Sequence, residues 1–71
     1  MDISVGQLVS TTKEVVIQDG GFGLGFTHVP PNTTGRVRKI EGCYPPRALI
    51  IFNIDGKECK EWINSDELLP F

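Results

Sequence analysis

Eight glycines and five prolines are scattered through these 71 residues. As a result no stretch of about 12 residues both lacks a helix breaker and shows apolar residues at helical spacing. Between the breakers lie short runs rich in Val, Ile and Thr, the residues that fit a pleated, half-buried surface. The chain therefore reads as all-β.

Gln7 to Ser10 is the first run, after Gly6, and Glu14 to Gln18 is a stronger β-branched one. A glycine-rich excursion from Asp19 through Phe26 reads as the tip of an irregular hairpin, from which Thr27, His28 and Val29 return beside Val15 to Ile17. Pro30, Pro31 and Asn32 close it, because proline offers the ladder no donor and restricts the residue before it. Thr34 to Ile40 and Arg47 to Ile54 are full strands separated by Glu41, Gly42 and a Tyr44-Pro45-Pro46 turn. Asn64 to Glu67 suits one 3₁₀ turn before a short last strand at Leu68 and Leu69.

Asp55-Gly56 is the sharpest local signal. Asp followed by Gly tolerates the two positive φ angles of a type I′ turn, so Lys57 to Ile63 should fold back antiparallel on Arg47 to Ile54. A two-residue loop also sets the register. Phe52 then lies opposite Cys59, Ile50 opposite Glu61 and Ala48 opposite Ile63, while Leu49 with Trp62, Ile51 with Lys60 and Asn53 with Glu58 take the other face. The first set, joined by Val37 and Leu68, is the expected core. Leu49, Ile51 and Trp62 are left as an apolar cluster facing outward, a common mark of a contact surface.

A chain this short carries one domain, residues 1–71, and a thin core, so association with another chain or with further copies is open from the start. Seven basic and nine acidic side chains give a formal charge of −2, which lacks the basic excess of a protein that holds a phosphate backbone. No apolar run reaches membrane-spanning length. The first residues show neither a basic stretch nor a signal-length apolar run, so a cytoplasmic setting with Cys43 and Cys59 reduced is expected.

The order of a short strand, a long hairpin-like loop, three meandering strands, a 3₁₀ turn and a final short strand resembles that of SH3-like barrels. The residues carrying the resemblance are Gly6 to Val9, Val29 to Val37, Phe52 with Asp55-Gly56, and Asp66 to Leu69. Small bacterial and plastid members of this class, such as the photosystem I stromal subunit PsaE, look similar. The resemblance implies a single small five-stranded SH3-like barrel with a long first loop and one 3₁₀ turn before the last strand. Departures narrow its use. The Ala-Leu-Tyr-Asp-Tyr stretch and paired tryptophan of polyproline-binding SH3 domains are missing, as is the Gly-Lys-Asn-Asp-Gly stretch of CAP-Gly domains.

Candidate chemistry is sparse. The glycine-rich loop lacks the Gly-Lys-Ser/Thr and following helix of a phosphate-binding loop. His28 is the only histidine, and with Cys43 and Cys59 it falls short of a four-ligand zinc site. No catalytic residue, metal or cofactor is assigned. Phe22, Phe26, Tyr44, Leu49 and Trp62 are the candidate partner-binding residues, since aromatic side chains bury much area with few rotors. Arg36, Arg38 and Lys39 form the densest basic cluster, with Arg47 expected nearby on the next strand. The expected function is a non-catalytic protein-binding module docking through the long loop and the Leu49, Trp62 face. The alternatives are a barrel that binds nucleic acid through the basic cluster and a small enzyme assembled from several copies.

Overall fold

The structure is a computed structural model that describes residues 3–18, 25–42 and 44–71. Its strands are β1 (Leu8–Thr11), β2 (Val15–Gln18), β3 (Phe26–Val29), β4 (Thr34–Glu41), β5 (Arg47–Ile54), β6 (Lys57–Asn64) and β7 (Leu68–Pro70), with a 3₁₀ turn at Ser65–Glu67. β6, β5, β4, β1 and β7 form one antiparallel sheet in that order, and β2 and β3 form a second, two-stranded sheet. Two features differ from the sequence expectation. Among the described residues there are seven strands in place of five, because the arms of the first loop are themselves paired. The five-stranded sheet also does not close: among the described residues β6 and β7 remain separate edges.

The Asp55-Gly56 turn has the positive φ values its residues favour, 52° and 81°. It fixes the β5–β6 register with Phe52 opposite Cys59, Ala48 opposite Ile63 and Leu49 opposite Trp62, as expected from the loop length. Val15 pairs with Val29 and Ile17 with Thr27 in the small sheet. Between β4 and β5 the register shifts at Arg38, which is the extra residue of a bulge flanked by the Val37–Ile50 and Lys39–Leu49 pairs.

Alternation then decides the core. Ala48, Ile50 and Phe52 of β5, Cys59 and Ile63 of β6, Val37 of β4, Val9 of β1 and Leu68 of β7 are buried on one face of the large sheet. Ile17 and Val29 cover them from the small sheet. At Gly35 this core approaches the backbone too closely for a side chain. A Cβ there would lie 2.5 Å from Ile50 Cγ2 and 2.9 Å from two ring carbons of Phe52.

The crossing between the sheets is tied by Thr11. Its buried hydroxyl donates to the Pro30 carbonyl at 3.1 Å and accepts from the Thr33 amide at 3.1 Å, while its own carbonyl accepts from the Asn32 amide at 2.8 Å. Asn32 sits at φ 65°, a left-handed conformation that asparagine tolerates better than most residues. Next along the chain, Thr12 donates twice to the Glu67 carbonyl, and the Lys13 ammonium meets the Glu67 carboxylate at 2.9 Å. The hydrogen bond that the ammonium donates to that carboxylate, and then the carboxylate's charge, raise the Lys13 pKa above the usual lysine value. The long edge strand β6 carries Lys57, Glu58, Lys60 and Glu61. Such charges discourage an edge from pairing with the edge of another chain.

Candidate functional site

The face of the large sheet opposite the core is set by the same alternation. Register aligns three rows across β4, β5 and β6: Arg36, Ile51 and Lys60; then Lys39, Leu49 and Trp62; then Glu41, Arg47 and Asn64. Leu49 and Trp62 are thus direct cross-strand neighbours, as the hairpin register requires. Both are half-buried, as is Ile51, so the cluster is less open than an outward apolar face implies.

Arg47 accounts for part of that cover. Its guanidinium carbon lies 5.7 Å from the centre of the Trp62 ring, and its Nη2 donates to Glu41 Oε1 at 3.0 Å. A cation over an aromatic face at a surface site contributes about 0.5–1 kcal/mol. Arg38, Lys39 and Lys60 have no ion-pair partner among the described residues. The small excess of acid in the whole chain therefore conceals a basic, tryptophan-centred sheet face.

Beside this face, between the segment leading into β1 and strands β4 and β5, is an open cleft of about 600 Å³. Arg36 and Arg38 both line it, together with Val5, Leu8 and Ile51. Arg36 is held in place by a 2.7 Å hydrogen bond from its Nη1 to the Gly6 carbonyl. The chain entering β1 was not expected to contribute to a site. Its only signal was Gly6, whose φ of 90° turns the backbone toward β4, where the Gly6 amide donates to the Val37 carbonyl at 2.7 Å.

The other candidates are dispersed. Tyr44 is fully exposed in the turn between β4 and β5, three residues before Arg47. Phe26 is 60% exposed but belongs to the small sheet, paired with Gln18, and is not part of the Leu49–Trp62 cluster. Phe22 lies outside the described residues, as do the glycine-rich tip around it and Cys43. Cys59 is a buried free thiol, and His28 is exposed with Nδ1 3.7 Å from Glu14. Among the described residues no three His, Cys, Asp or Glu side chains gather as metal ligands, and no helix is long and apolar enough to cross a membrane.

Compared with protein families, with curated proteins and with solved structures, the chain shows no significant match.

Proposed function

We propose that this chain is a non-catalytic SH3-like interaction module that docks a protein partner on the outer face of β4, β5 and β6. Support for the SH3-like part comes from the strand order, in which a paired excursion separates β1 from a three-strand meander and a 3₁₀ turn precedes the last strand. The observation that carries the docking reading is the Leu49–Trp62 cross-strand pair, capped by Arg47 and flanked by Arg36, Lys39 and Lys60. Tryptophan and arginine at the centre of a surface supply most of the affinity in protein interfaces, and cations at the rim steer the encounter.

The same cations favour single-stranded nucleic acid as a second reading. That reading needs an aromatic face on which a base can stack. The single tryptophan here has Arg47 over its ring, and Glu41 and Glu58 share the sheet face with the cations. Protein is the better fit.

The test is affinity capture from a native lysate with the wild-type chain, Tyr44→Ala and Trp62→Ala, each variant first checked for fold by circular dichroism. Tyr44 makes no packing contribution at full exposure, so its replacement leaves stability unchanged. Recovery of the partner should fall by tenfold or more with Trp62→Ala, the loss expected of a central anchor. A folded Tyr44→Ala, Trp62→Ala double variant that retains its partner would overturn the docking face.

A further inference from the structure

We infer that the cleft between the Val5–Leu8 segment and strands β4 and β5 is a receptor for an acidic peptide segment of the partner, with Arg36 and Arg38 gripping an aspartate or glutamate carboxylate and Ile51 and Leu8 receiving an adjacent apolar side chain. The inference deepens the docking reading above and rests on it for the source of the peptide.

Two guanidinium groups line one cleft. A guanidinium presents five N–H donors in a planar fork that matches a carboxylate bidentately. One Arg36 Nη1 donor is committed to the Gly6 carbonyl, which fixes the direction of the side chain and leaves its remaining donors for a ligand. Arg38 is the bulged residue of β4, and bulges re-aim a side chain out of the regular alternation. Here the result is that Arg38 joins Arg36 at the same cleft, with no side-chain partner among the described residues.

The remaining walls select among anions. Val5, 65% exposed, stands with Leu8 and Ile51 as apolar surface beside the two cations. Asn53 and Glu58, paired across β5 and β6, form another part of the lining, and Glu58 is ion-paired with neither arginine. A peptide suits this mixture: its carboxylate meets the arginines, its apolar side chain meets Ile51, and its backbone N–H groups find acceptors at Asn53 and Glu58. A phosphate chain would set successive negative charges against Glu58.

The experiment is a titration of the ¹⁵N-labelled full chain, followed by amide chemical shifts. The probes are a short peptide with a glutamate-leucine-glutamate centre, its glutamine-leucine-glutamine counterpart, and an oligouridylate of similar length. The glutamate peptide should shift the amides of Gly6, Arg36, Arg38 and Ile51, and the glutamine peptide should bind at least tenfold more weakly. Arg38→Gln should weaken the glutamate peptide about tenfold, the loss of one charge-assisted bidentate contact. Arg38→Lys should recover only part of it, and Lys13→Gln, outside both the cleft and the docking face, should change it less than threefold. Equal affinity for the two peptides, binding of neither, indifference to Arg38→Gln, or displacement of the peptide by oligouridylate at the same amides would each overturn the inference. Failure of the peptide to bind while Trp62→Ala still loses the partner removes the cleft and keeps the docking face. Binding of the peptide while the Trp62 variant retains the partner does the reverse.

Discussion

Replacing Phe52 by alanine is expected to remove a large share of the stability of this domain, about 3–5 kcal/mol. Phe52 is the largest of the fully buried side chains, 1% exposed, and stands on β5 opposite Cys59 of the edge strand β6 and over Gly35 of β4. Phe-to-Ala substitutions in a core cost about 3–5 kcal/mol, the lost transfer energy plus the cavity left behind. At roughly 0.05–0.15 kcal/mol per residue, a chain of this length has about 4–11 kcal/mol in total. Urea denaturation followed by circular dichroism measures the difference. Phe52→Leu, which keeps most of the volume, should cost much less than Phe52→Ala. A Phe52→Ala loss below about 1 kcal/mol would show that the ring is not central to the core.

Gly35→Ala is expected to destabilise by about 3 kcal/mol, at the upper end of what overpacking costs. The added methyl group would meet Ile50 at 2.5 Å and Phe52 at 2.9 Å, and both side chains are fully buried with little room to yield. Glycine is needed here for close packing and not for an unusual φ. The two sites must therefore couple. In a Phe52→Leu background, where the ring carbons facing Gly35 are gone, the cost of Gly35→Ala should fall, and a double-mutant cycle reads the difference directly. Additive losses would mean that the backbone of β4 shifts to make room, leaving no specific contact at Gly35.

The contrast between Phe52 and Arg38 shows where the sequence was readable. Phe52 could be assigned inward because Asp55-Gly56 is a two-residue loop with a preferred turn type, and a turn of known length transmits register along both strands as far as Ala48 and Ile63. The β4–β5 connection offers no such constraint. It passes through Tyr44, Pro45 and Pro46, and a loop of that kind leaves the pairing register open. The bulge at Arg38 is likewise unannounced by any glycine. Alternation suggested that Arg36 and Arg38 share a face, and both do line one cleft, but with a register break between them and β5. The cleft itself depends on Gly6 and Val5 approaching β4, a contact between segments about 30 residues apart that no local pattern encodes.

Closure of the sheet is not legible in the sequence for a related reason. Whether a sheet closes depends on the stagger summed over all its strands, which no single hairpin turn sets. The short strands β1 and β7 carry few residues from which stagger could be inferred. The paired arms β2 and β3 were foreseeable in their contacts, Val15 to Ile17 beside Thr27 to Val29, yet their role as a separate sheet covering the core is a property of the whole fold.

The central claim is that the outer face of β4, β5 and β6 is the docking surface. An amide footprint of the captured partner on the ¹⁵N-labelled chain tests it most directly. Shifts and line broadening should concentrate on Arg36, Lys39, Arg47, Leu49, Lys60 and Trp62, including the indole N–H of the single tryptophan. A footprint confined to the β2–β3 hairpin around Val16 and Phe26, with the tryptophan signal unmoved, would contradict it.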